Sequence, residues 1–122
     1  MARFIYRMTN KKNKAAGDCA VNALCLTIGG TWLKNYRDLC KCGEMIWGMP
    51  SEMQTIEKYM SLHHHRVVGF TGTVEEFADA HPEGKYCVIS DGHMTAVVNG
   101  SIYDQLNPLK RKVIVVFEMT GK

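Results

Sequence analysis

Two dipeptides, Asp91-Gly92 and Asn99-Gly100, constrain this chain more than any other feature. Each lies between short runs rich in β-branched and aromatic residues, and Asx-Gly supplies the positive φ angles of a two-residue hairpin turn. Tyr86-Cys-Val-Ile-Ser90, His93-Met-Thr-Ala-Val-Val98 and Ser101-Ile-Tyr-Asp104 are therefore read as consecutive antiparallel strands. Val113-Ile-Val-Val-Phe117 supplies a fourth after a loop containing Pro108. A two-residue turn at Asn99-Gly100 also fixes register: Val98 faces Ser101, Thr95 faces Asp104 and His93 faces Leu106. His93 and Asp104 then share one face as diagonal neighbours, about 7 to 8 Å apart at the backbone, within reach of an imidazole and a carboxylate.

Helical period dominates before the sheet. Cys19 to Ile28 is apolar around nearly its whole circumference, the pattern of a central buried helix, and Gly29-Gly30 stops it. Gly17-Asp18 precedes it, with Asp18 as a candidate N-cap, which sets Cys19 in the first helical turn. Unpaired N–H groups and the helix dipole at such a position favour a thiolate over a thiol. Cys25 reads as a core thiol.

Thr31 is expected to cap a second helix ending near Cys40-Lys41-Cys42-Gly43, with Trp32, Leu33, Tyr36 and Leu39 on its apolar face and Lys34, Asn35, Arg37 and Asp38 in water. The Trp47–Pro50 loop is a candidate cleft wall, and Ser51-Glu-Met-Gln54 has the spacing of a capping box for a third helix. Residues 63 to 70 suit an edge strand, and Thr73-Val-Glu-Glu76 forms a second capping box opening a helix to about Ala80. Residues 1 to 10 are not assigned.

At 122 residues the chain is expected to be a single domain spanning residues 1–122, with helices packed on a C-terminal antiparallel sheet in the α+β class. Its apolar runs are shorter than the roughly 20 residues a membrane span needs. No signal-peptide core opens the chain, so a cytoplasmic location is expected. Five cysteines, an odd number without a secreted-domain spacing, fit free thiols in a reducing compartment. The net charge of +3 gathers in two short clusters, Lys11 to Lys14 and Lys110 to Lys112, away from the aromatic residues. That pattern fits solvated surface rather than a nucleic-acid footprint.

Cys19, His93 and Asp104 thus become a candidate nucleophile, base and orienting carboxylate. Asp91, Gln105 and Asn107 lie near enough in sequence to compete with Asp104, and His64 competes with His93. Acyl transfer also needs donors for the developing oxyanion. The Cys19 N–H can serve as one, and the amide of Asn13, six residues upstream, as a second. Cys40-Lys-Cys42 with His63-His64-His65 raises a zinc reading, but one residue between paired cysteines is too few for a usual structural site and no second pair exists. No metal or cofactor is expected.

In Gly17-Asp18-Cys19-Ala20 opening a buried helix, Gly92-His93-Met94-Thr95 on a strand and Ile102-Tyr103-Asp104 on the next, the chain resembles the papain-like cysteine peptidases. Within them it is similar to small bacterial and phage-encoded domains of the C39 type. The resemblance implies a papain-like fold and a cysteine peptidase, cleaving a peptide or isopeptide bond through a Cys19 thioester. It puts Asn13 where the family commonly has an oxyanion-hole glutamine, one methylene longer. With so short a chain the implied substrate is a peptide or protein presenting an extended tail. An inactive binding or inhibitor module on the same frame is the alternative.

Overall fold

The computed structural model describes residues 2–10, 12 and 17–120. Four helices and six strands run in the order β1 (Arg3–Tyr6), α1 (Cys19–Ile28), α2 (Trp32–Ile46), α3 (Met53–Leu62), β2 (Arg66–Val68), α4 (Val74–Ala80), β3 (Lys85–Ser90), β4 (His93–Val98), β5 (Ser101–Asp104) and β6 (Val113–Glu118). The strands form one sheet in the order β1-β5-β4-β3-β6-β2. The protein is of mixed α+β class with a mostly antiparallel sheet.

The Asn99-Gly100 turn takes positive φ at both positions, whereas at Asp91-Gly92 only the glycine does. Asn99 and Gly100 have φ of 49° and 78°, and Gly92 has φ of 66°. β4 pairs with β5 through Val98↔Ser101, Val97↔Ile102 and Ala96↔Tyr103, the register expected from the turn. One step further along, the Thr95 hydroxyl hydrogen-bonds the Asp104 carboxylate. The unassigned N-terminal segment supplies the one parallel pairing among the described strands, β1 on β5. Its short run carries no turn signal that would fix a partner, so only the finished sheet edge selects it.

Two apolar clusters lie against the sheet. Leu24, Ala20 and Ala23 of α1 pack with Leu39, Tyr59, Met60, Met94 and Ala96, while Val74 and Phe77 of α4 pack with Val88, Val97, Ile102 and Val116. Alternation along β4 divides Met94 and Ala96 from Val97, and so sets His93 and Thr95 on the face of Val97. His93 is the first residue of β4. It sits at the margin of the sheet, where a side chain on one face can meet a helix start on the other.

Several local expectations change. α2 does not end at Gly43 but continues to Ile46, with Trp47 as a left-handed cap at φ 60°. Gly43 serves close approach instead of termination: a Cβ there would lie 2.4 Å from the Gly48 carbonyl oxygen. Asn35 turns inward, 2% exposed, and its amide donates to the Gly29 and Thr31 carbonyls and to Cys25 Sγ. Leu33 and Tyr36, expected on the apolar face, are exposed. Cys25 is correspondingly half-buried at the edge of the core.

The box expected at Ser51 is not formed. Glu52 is the N-cap of α3, makes no side-chain cap bond and accepts from the Met49 N–H at 2.6 Å. At Thr73 the reciprocal box is complete, with Glu76 N–H donating to Thr73 Oγ1 and Thr73 N–H to Glu76 Oε1. The strand expected over 63 to 70 is confined to Arg66–Val68, because His63 closes α3 and its ring stacks on Tyr59. All five cysteines are free. Among the described residues no helix is long and apolar enough to cross a membrane.

Candidate active site

Cys19 is the first residue of α1, and Asp18 precedes it with a buried side chain. Asp18 does not cap the helix through its carboxylate. Instead Oδ2 accepts from Trp32 Nε1 at 2.8 Å and Oδ1 from Gln105 Nε2 at 3.1 Å. Three residues after Cys19, the Asn22 side chain accepts from the Thr9 N–H and hydroxyl and donates to the Arg7 carbonyl. The polar residue inside the apolar helix thereby ties the segment after β1 to α1.

His93 and Asp104 meet as the hairpin register requires. His93 Nε2 lies 2.6 Å from Asp104 Oδ2, with both side chains buried. The same Oδ2 accepts from the Thr95 hydroxyl. Oδ1 accepts from the Gln105 N–H at 2.6 Å, and the Leu106 N–H lies 3.4 Å from it. With Nε2 engaged, Nδ1 is the ring nitrogen left for the thiol. The Cys19 thiol interacts with the His93 side chain and with the Met94 backbone.

These contacts set the charge states. Burial opposes the Cys19 thiolate, but the interactions with His93 and the Met94 backbone, together with the imidazolium charge, outweigh it and bring the thiol below its ordinary value. Burial likewise opposes the imidazolium of His93. Its interactions with Asp104 and Cys19 and their negative charge reverse that effect, and its pKa is pushed up to about 9. A thiolate–imidazolium pair is favoured from both sides.

Two cavities flank this pair and share Ser51. One, of about 270 Å³, is lined by Cys19, His93, Gly92, Met53, Ile89 and Ile114 among others. The other, of about 350 Å³, lies between α1 and α2, with Trp32, Tyr36, Met49 and Pro50 in its wall. Of the expected cleft wall, Met49 and Pro50 line this neighbouring cavity rather than the one holding Cys19 and His93, and Trp47 is 98% exposed.

The rivals for each role fall elsewhere. Asn107 accepts from the Leu109 N–H in its own loop, Asp91 is exposed at the turn, and Gln105 reaches Asp18 rather than His93. His64, in a left-handed turn after α3, lines neither cavity. Asn13 lies outside the described residues. The parts unforeseen in the sequence are Thr95 as a donor to Asp104 and the Asp18–Gln105 bond. Register placed Thr95 opposite Asp104, so the first had a signal; the second joins residues 87 apart and had none.

Comparison of the chain with known protein families, curated proteins and solved structures finds no significant match to any of them.

Proposed function

We propose that this chain is a papain-like cysteine hydrolase that cleaves a peptide or isopeptide bond, with Cys19 as nucleophile, His93 as acid and base, and Asp104 as the group that orients His93. The observation that carries the reading is that Cys19, at a helix start, lines one cleft with His93, whose ring is hydrogen-bonded to Asp104. A lowered thiol facing a raised imidazole is the charge arrangement an activated cysteine requires.

In the first step Cys19 Sγ attacks the carbonyl carbon, and the carbonyl π electrons move to oxygen. The Cys19 N–H, at the positive end of α1, is available to that oxyanion; Asn13 is the proposed second donor on its sequence position. Collapse breaks the C–N bond as protonated His93 gives its proton to the leaving amine, which leaves a thioester on Cys19. His93, now neutral, removes a proton from water. The resulting hydroxide equivalent attacks the thioester and releases the carboxylic acid and the thiolate. Asp104 stays ionised throughout and holds Nε2–H, so that Nδ1 always faces sulfur.

Iodoacetamide labelling near neutral pH, mapped by mass spectrometry, tests this reading. Cys19 is expected to label well ahead of Cys25, Cys40, Cys42 and Cys87, and His93→Ala is expected to remove that advantage. Equal, slow labelling of all five thiols in the unaltered protein rejects the reading. Selective labelling without turnover of any peptide or isopeptide substrate instead favours an inactive binding module on the same frame.

A further inference from the structure

The residues next to the proposed nucleophile and orienting carboxylate are bonded to each other. Asp18 precedes Cys19 and Gln105 follows Asp104, and Gln105 Nε2 donates to Asp18 Oδ1 at 3.1 Å. The contacts form a closed circuit. It runs from Cys19 to the His93 ring, from His93 Nε2 to Asp104 Oδ2, along the chain to Gln105, across to Asp18, and back through one peptide bond to Cys19. Gln105 grips Asp104 a second way, since its N–H donates to Asp104 Oδ1 at 2.6 Å. Asp18 is fixed from the far side by Trp32 Nε1, at the start of α2, and the Trp32 ring stacks on Tyr36 with centroids 5.1 Å apart.

We infer that the Asp18–Gln105 bond is a positioning strut, which holds the start of α1 to the end of β5 and so sets the spacing between Cys19 and His93. The inference rests on the function proposed above. Two of the circuit's links are covalent and short, so one flexible link fewer leaves the thiol little freedom to leave the imidazole. Without the strut, the start of α1 and the His93–Asp104 pair are joined by packing, by the thiol's own contacts with His93 and Met94, and by the longer route from Asn22 through Arg7 to the Asp104 carbonyl. Asp18 is suited to the task and poorly suited to any direct electrostatic one. A carboxylate beside Cys19 raises the thiol pKa, so through charge alone it would work against the nucleophile.

That conflict of sign makes the experiment decisive. The pH profile of iodoacetamide alkylation at Cys19 is measured for the unaltered protein, His93→Ala, Asp18→Ala, Gln105→Met and the Asp18→Ala/Gln105→Met pair. Gln105 is only half-buried, and Met keeps its length while removing the donor. If the strut positions Cys19, both single variants move the thiolate midpoint upward towards an ordinary thiol and slow alkylation at neutral pH, about tenfold for each unit of midpoint shift. The double variant is then no slower than the slower single one, because one contact is lost in all three. A downward shift in Asp18→Ala means that its charge is what Cys19 feels, and overturns the strut. An unchanged profile in Gln105→Met overturns it too, whatever that variant does to thermal stability. If the unaltered protein reacts no faster than His93→Ala, the proposed function fails and the circuit loses its first link; the strut alone fails when those two differ and the Gln105 variant does not.

Discussion

His93 Nε2 and Asp104 Oδ2 lie 2.6 Å apart, and that same carboxylate oxygen also accepts from the Thr95 hydroxyl. One oxygen thus serves both the Nε2–H of a ring whose other nitrogen, Nδ1, carries the proton that moves in the proposed reaction, and the Thr95 hydroxyl. Together with the Gln105 N–H on Oδ1, these donors leave Asp104 no room to rotate.

Asp104→Asn keeps the shape of the group and removes its charge. Burial then works against the His93 imidazolium with only Cys19 to support it, so the His93 pKa falls from about 9. Loss of the proposed hydrolytic activity by roughly 10²- to 10⁴-fold is expected, the usual range for a group governing general acid–base transfer. NMR titration of the His93 ring checks the cause, and an unmoved titration in an inactive variant would point elsewhere.

Thr95→Val removes one donor at nearly constant volume. It leaves a buried carboxylate short of a partner at a cost of about 1 to 3 kcal/mol, readable as a lower urea midpoint. Turnover is expected to fall while KM stays near its original value, since Thr95 is buried and acts through Asp104. Thr95→Ser restores both readings; failure of serine to do so removes the hydroxyl from the explanation.

The pH profile of kcat/KM follows from the two opposite shifts. Activity requires the thiolate, so it rises as pH passes the Cys19 pKa, which lies below the ordinary thiol value of 9.0. It also requires the imidazolium as acid to the leaving amine, so it declines as pH passes about 9. A bell with its alkaline limb near 9 is expected. An alkaline limb between 6 and 7, the range of an unperturbed histidine, would falsify the protonated state assigned to His93.

Gly43→Ala separates two explanations for one glycine. On helix propensity alone the change stabilises by about 1 kcal/mol. The new Cβ would lie 2.4 Å from the Gly48 carbonyl oxygen, which is backbone and cannot swing aside. Net destabilisation of about 1 to 3 kcal/mol is expected from the overpacking, measured by chemical denaturation. An increase in stability refutes the close-approach role.

How much could be read from residues alone depended on how local the cause was. Asn99-Gly100 determined a turn, the turn determined register, and register put Thr95 opposite Asp104 and His93 on the same face. The bounds of α1 and the cap at Thr73 followed from similarly short-range chemistry. Other residues take their meaning from partners across the fold. Gly43 resembles a helix stop until Gly48 is packed against it, and Asn35 resembles a solvated residue until the Gly29 and Thr31 carbonyls need its amide. Ser51 resembles a cap until the Glu52 carboxylate takes the Met49 N–H, which belongs to a loop with no period.

By itself, then, the sequence determined the strand meander, its register, the helix that begins at Cys19, and a histidine and an aspartate able to meet. Each is decided by backbone conformations and hydrogen bonds spanning a few residues. Tertiary structure alone decided that the start of α1 arrives at the margin of β4, that Nε2 rather than Nδ1 faces Asp104, and that β1 joins the sheet in parallel. It also decided that Asp18 spends its carboxylate on Trp32 and Gln105 instead of its own helix. Those outcomes depend on packing α1 against the sheet, a long-range contact whose geometry no local pattern encodes.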